Sequence, residues 1–82
     1  MNKIEIQEII SSEIECDYIE VLGDDGAHFE AVIVSDEFLA LSKIQRHQLV
    51  YKALGDLMQE KIHALSMRTY DKNEWKKIKE LK

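Results

Sequence analysis

Near the start of the chain, apolar residues fall at Ile4, Ile6, Ile9, Ile10 and Ile14. Steps of three and four suit an amphipathic helix over residues 2 to about 13, with Asn2 as its N-cap. From Cys16 the period drops to two. Ile19 and Val21 take one face and Tyr18, Glu20 and Leu22 the other, which predicts a strand. "GDDG" follows at residues 23–26, and its two glycines and two aspartates tolerate the positive φ of a tight hairpin. In the run behind it, Ala27, Phe29, Ala31 and Ile33 share one face, and His28, Glu30, Val32 and Val34 the other. One face packed and one partly wet is the pattern of a sheet covered by helices on one side.

After "SDEF" the period turns helical. Leu39, Leu41, Ile44, Leu49, Val50, Leu54, Leu57 and Met58 form a stripe broken near Ser42, whose hydroxyl can cap a new helix. Gly55 is expected to weaken that helix near its end by about 1 kcal/mol relative to alanine. "IHALSMRTY" then reads as a third strand, with His63, Leu65, Met67 and Thr69 on one face and Ile62, Ala64, Ser66 and Arg68 on the other. Asp71, with Glu74 three residues on, opens a last helix whose apolar side is Trp75, Ile78 and Leu81. More than twenty residues, largely helical, separate the second and third strands, which suits parallel pairing. The order predicts one α+β domain over residues 1–82: a three-stranded mixed sheet with helices on one face.

Cysteine usage narrows the chemistry. Cys16 stands alone, so the chain has no intrachain disulfide and no Cys-x-x-Cys metal or dithiol motif. The acidic N-terminus lacks the basic flank and apolar run of a signal peptide, and no stretch approaches a membrane span. A reducing cytoplasmic setting, with no membrane partner, is the expectation. Net charge is −5, unevenly spread: residues 1–37 carry eleven acids and one lysine, residues 38–82 ten bases and five acids. Solvated surface explains most of that spread. A basic docking face made by Arg46, His47, Gln48 and Tyr51, together with Lys76 and Lys77, is the sharper reading.

Catalytic patterns are missing. The sequence has no Gly-x-Ser-x-Gly elbow, no phosphate-binding glycine loop and no acid–base pair fixed by spacing, so it reads as a non-enzyme. Histidines stand at positions 28, 47 and 63, with no two at the i, i+4 spacing of a helical metal pair. A lone histidine on a strand is more often a hydrogen-bonded structural residue than a ligand. Even so, a neutral imidazole is a good borderline donor to iron. A domain offering one such donor needs a partner that supplies sulfur.

"VSDEF", "RHQLVY", "IHAL" and the helix opening at residues 71–75 with "EW" occur in an order and spacing that resembles the BolA family over nearly the whole chain. The short turn and the "GAHF" after it are most similar to the branch that includes IbaG. The resemblance implies a fold like the class II KH domain, in the order α-β-β-α-α-β-α. It also implies partnership with a monothiol glutaredoxin and a shared 2Fe-2S cluster that the isolated domain does not hold. The glutaredoxin would supply its cysteine and a glutathione thiolate, and this chain His63 from "IHAL". The family's second ligand position falls near Asp25, which is neither Cys nor His, and His28 is the nearest substitute. The family usually has glycine where this chain has Ala40, so a reshaped turn is expected there. Cys16 would join the ligands only if the register of the first strand brought it near His63. Alone, the chain is expected to be a monomer or a weak homodimer.

The resemblance also carries an alternative, a nucleic-acid-binding transcriptional regulator built on the KH-like fold. Lys72, Lys76, Lys77, Lys79 and Lys82 would serve it. "GDDG" matches the letters of the KH clamp loop, but it lies in a strand–strand turn and carries the wrong charge.

Overall fold

The computed structural model describes residues 2–23, 28–56 and 64–81. Helix α1 (Lys3–Glu13) opens at a capping box: Asn2 accepts the Glu5 N–H at 2.9 Å, and Glu5 accepts the Asn2 N–H at 3.3 Å. Strand β1 (Tyr18–Leu22) runs antiparallel to β2 (His28–Val34), with Tyr18 opposite Val34 and Leu22 opposite Glu30. A single 3-10 turn (Asp36–Phe38) precedes helix α2 (Lys43–Leu54), so the expected break at Ser42 is present. Ser42 and Gln45 form the second capping box. Strand β3 (Ala64–Tyr70) pairs parallel to β2, from His28 opposite Ala64 to Val34 opposite Tyr70, and the sheet order is β1-β2-β3. Helix α3 (Lys72–Glu80) opens at the third box, Asp71 with Glu74. Each N-cap side chain is worth about 1 kcal/mol.

The core sits where the alternation put it. Val21, Phe29, Ala31 and Ile33 face Ile6, Ile10 and Ile14 from the α1 segment and Val50 and Leu54 from α2, with Phe38 fully enclosed among them. A side chain of that size contributes about 1.5–3 kcal/mol when taken wholly out of water. Helix α3 adds something different. Its Trp75 stacks on Tyr18 (centroids 5.3 Å apart) and leans on Tyr70 (5.5 Å). Both tyrosines flank Val34 in the register, on the sheet face turned away from the core. Trp75 thus covers one end of the second face, where Val34 is fully buried.

Two backbone expectations need correction. Ala40 does not avoid the left-handed conformation: Leu41 N–H donates to Phe38 C=O at 3.1 Å, Leu39 has φ −57° and ψ 136°, and Ala40 has φ +65°. This is a type II turn with alanine at the position that favours glycine. The left-handed conformation costs an L-residue roughly 1–2 kcal/mol, and the closed contacts of Phe38 and Arg46 on either side hold it in place. Gly55 does not weaken the body of α2. It is the C-cap, at φ +58° and ψ −135°, a region that favours glycine, and its N–H closes on Tyr51 C=O at 2.9 Å.

Candidate functional site

The two ends of the sheet are built differently, and the candidate residues divide between them. At one end, the strand pairing brings the start of β2 beside the start of β3. His28 is exposed there, directly opposite Ala64, the residue that follows His63 in the chain. A depression of about 570 Å³ surrounds the pair, with Lys3 of α1, Leu22 of β1 and Ser66 of β3 on its walls. Gly23 closes one side by close approach. A Cβ there would fall 2.5 Å from Phe29 Cδ1 and 2.8 Å from the His28 carbonyl oxygen, so a larger residue would push the β2 entry outward. His63 and Asp25, the expected ligand and the expected loop position, lie outside the described residues, as do most of "GDDG" and Leu57 and Met58.

Cys16 belongs to the opposite end. It precedes Tyr18, which pairs with Val34, so the length of β2 separates it from His28, roughly 20 Å at about 3.3 Å per residue. Its thiol donates to Ile14 C=O at 3.3 Å. Burial pushes its pKa up, and the nearby Glu37 and Asp17 carboxylates push the same way. The register therefore answers the Cys16 question: this sulfur does not reach the His28 end.

The "VSDEF" residues tie that opposite end together. Ser35 is fully buried. Its hydroxyl donates to Glu15 C=O at 2.6 Å and accepts the Glu37 N–H at 3.1 Å, while its own N–H donates to Tyr70 C=O at 2.9 Å. Glu37 in turn accepts the Glu15 N–H, and Asp36 accepts the Lys72 N–H at 3.2 Å. Lys72 Nζ lies 3.4 Å from Asp17 and 3.7 Å from Asp36. All three strands and α3 are joined through this one segment.

Arg46 completes the joint, and this revises its expected place on a docking face. Its side chain is 11% exposed. Nε donates to Leu41 C=O at 3.1 Å, Nη1 to Thr69 C=O at 3.3 Å and to Glu74 Oε1 at 2.6 Å, and Nη2 lies 3.8 Å from Asp71. The guanidinium also sits 5.8 Å over the Phe38 ring. Its charge is committed inside the molecule. The Asp71 N–H and then Arg46 hold the Glu74 carboxyl below its ordinary value.

The remaining docking candidates are split. Tyr51 is 41% exposed on α2, as is Ile44 at 71%, and α2 contains no acidic residue. His47, on the same helix, is half-buried, and its Nε2 is buried without a hydrogen-bond partner. Burial, then Lys43, lowers its pKa, which favours the neutral ring at pH 7. Lys76 and Lys77 are exposed on α3, the helix whose Trp75 packs on the other side of the sheet. The face expected from sequence thus draws on two helices, and Trp75 of the second is turned to the far side of the sheet. Sequence reasoning also missed the groove of about 530 Å³ in which Tyr18 and Trp75 meet Lys76 and Lys79. Its signal was the aromatic at Tyr18 on the strand face opposite Ile19 and Val21.

Among the described residues, no group of three or more His, Cys, Asp or Glu is placed to hold a metal ion, and no helix is long and apolar enough to cross a membrane. Residues 6–74 match the BolA-like protein family. The chain belongs to that family. BolA-like proteins are non-enzymatic, and this chain has their α+β fold. The acid stress protein IbaG of Escherichia coli (strain K12) is 30% identical over 82 residues, covering 99% of this chain and 96% of IbaG. The DNA-binding transcriptional regulator BolA of Vibrio cholerae is 29% identical over 82 residues, covering 89% of this chain and 77% of that regulator. A crystal structure of a bol-like protein from Babesia bovis superposes with a TM-score of 0.86 at 29% identity, over 96% of this chain and 94% of that one. IbaG and BolA stand at nearly the same identity, so the comparisons place the chain in the BolA-like family without separating the IbaG branch from the BolA one.

Proposed function

We propose that this BolA-like chain is an adaptor that binds a monothiol glutaredoxin and shares a 2Fe-2S cluster with it, in the trafficking or regulation of iron–sulfur cofactors. His63 is the chain's principal ligand and His28 its second. The observation that carries the reading is the β2–β3 register, which sets the exposed His28 opposite the residue next to His63 in the chain. The donor set fits a shared cargo: His28 stands at that end, and the chain's one sulfur is at the other. The partner and its glutathione supply the thiolates. Imidazole in place of thiolate raises a cluster's potential, which suits a cluster handed on or sensed. Docking falls to the acid-free outer face of α2, where Ile44, His47 and Tyr51 lie, with Lys76 and Lys77 of α3 as a further contact.

Titration with cluster-loaded glutaredoxin, followed by visible circular dichroism, tests the assignment. Wild type is expected to change the spectrum, His63→Ala to abolish the change, and His28→Ala to give a weaker, altered band. Identical titrations for wild type and His63→Ala would remove His63 from the ligand set.

Nucleic-acid binding is the second reading, and the Tyr18–Trp75 groove favours it. Stacked rings beside Lys76 and Lys79 offer base stacking and phosphate contact together. Lys72 contributes less, because Asp17 and Asp36 already hold it. Binding of a duplex or single-stranded oligonucleotide that weakens steeply with salt, and falls in Lys76→Glu/Lys79→Glu, supports this reading; no binding at low salt ends it.

A further inference from the structure

The hydrogen bonds at the end of β3 reveal which way each of its peptide groups faces. Ser35, the residue after β2, donates its N–H to Tyr70 C=O, so the main chain of Tyr70 turns toward β2. Main-chain direction alternates along a strand, which turns Thr69, Met67 and Leu65 away from β2. A separate contact agrees: Thr69 C=O receives Arg46 Nη1, a group outside the sheet. Among the described residues no strand lies beyond β3. The outer edge is therefore capped at Thr69, while the N–H and C=O groups of Met67 and Leu65 point off the sheet.

The surroundings of that edge are cationic. A cleft of about 380 Å³ runs beside it, between Met67 and Arg68 of the strand and Leu41, Lys43 and Arg46 on the far wall. Lys43 and Arg68 are exposed. The one acid on the cleft, Glu74, already accepts from Arg46 and from the Asp71 N–H. The other edge of the sheet contrasts with this one: β1 is two residues shorter, carries Glu20 and is preceded by Glu15 and Asp17. In a chain with sixteen acids and a net charge of −5, the longer edge has kept a positive border.

We propose that the outer edge of β3 accepts an extended acidic segment of a partner protein as a fourth strand. Its backbone pairs with Leu65 and Met67, and its carboxylates sit against Lys43 and Arg68. Main-chain bonds supply the affinity of such strand addition, and the charges set its sign and direction. This surface uses neither histidine, so it stands apart from the cluster reading and can fail without it.

The probe is an N-acetylated seven-residue peptide that alternates valine with glutamate, titrated into the isotopically labelled chain and followed by amide chemical shifts. Shifts centred on Leu65, Met67 and Lys43 are expected. Binding should weaken at least tenfold in Lys43→Glu/Arg68→Glu, whose fold is checked by far-ultraviolet circular dichroism. Two further peptides carry N-methyl groups on alternate amides, one on each phase; strand addition requires that one phase abolish binding and the other spare it. Four results overturn the proposal: equal tolerance of both N-methyl phases, shifts centred on β1 or on the Tyr18–Trp75 groove, equal binding of a lysine-for-glutamate peptide, or a doubled mass in light scattering, which would give the edge to a second copy.

Discussion

At the Ser35 end of the sheet, almost every polar group near the chain crossings is spoken for. Ser35, Asp36, Glu37, Arg46, Asp71 and Glu74 bind one another or the backbone around the start of β1, the ends of β2 and β3 and the first turns of α2 and α3. At the His28 end, an exposed imidazole and a broad depression face outward beside the first residue of β3. Among the described residues, the same sheet thus has a locked end and an end that presents an exposed histidine. The contrast shows that most of the motif residues that mark the family, "VSDEF", the arginine of "RHQLVY" and the opening of the last helix, hold the fold. Ala64 of "IHAL" and its register neighbour His28 stand at the other end, apart from those crossings.

The largest expected effect breaks the lock. Arg46→Ala leaves Asp71 and Glu74 without their cation and Thr69 and Leu41 without a donor. It should cost about 3 kcal/mol in urea unfolding, a loss in the range for one member of a buried charge pair. A loss under 1 kcal/mol would show that the joint is ornamental. Next in size, Ala40→Gly should raise stability by about 1 kcal/mol, because it removes the left-handed penalty while the turn stays the same. A destabilised variant would mean that the Cβ of Ala40 supplies packing beyond its burial.

A smaller effect is one of pH. Glu74 has a folded pKa below its ordinary 4.5, so its contribution is complete above the unfolded value and is lost as pH falls through the folded one. Wild type should therefore lose stability on acidification more steeply than Glu74→Gln below about pH 4.5, with the two curves parallel above it. Parallel curves throughout would take Glu74 out of the acid response. The smallest effect is at the other end: His28→Ala removes an exposed ring and should cost no more than about 1 kcal/mol in unfolding free energy, while it alters the spectrum with cluster-loaded glutaredoxin. A large stability loss there would make His28 part of the lock.

Periodicity made the fold legible because each element obeys one period and each helix carries its own start signal. Asn2, Ser42 and Asp71 were readable as caps for the same reason, since capping is decided within four residues. Side-chain destinations were harder. Arg46 sits in a basic, polar helical run and reads as surface; only the return of β3 and the Glu74 carboxylate draw it inward. Trp75 looked like one member of the last helix's apolar side, but Tyr18 and Tyr70 are its partners, and they come from opposite edges of the sheet. Ala40 misled for another reason. Propensity favours relaxing such a turn, and the tertiary contacts on both sides overrule it.

The parallel pairing of β2 with β3 has a consequence for biosynthesis. His28 and Ala64 become neighbours only after a crossover containing all of α2 has been completed, so no short fragment and no half-made chain emerging from the ribosome presents that surface. Non-local contacts of this kind arrive late in folding. A partner of the kind proposed would therefore recognise only chains in which β3 has paired with β2, and its grip would oppose the peeling away of β3.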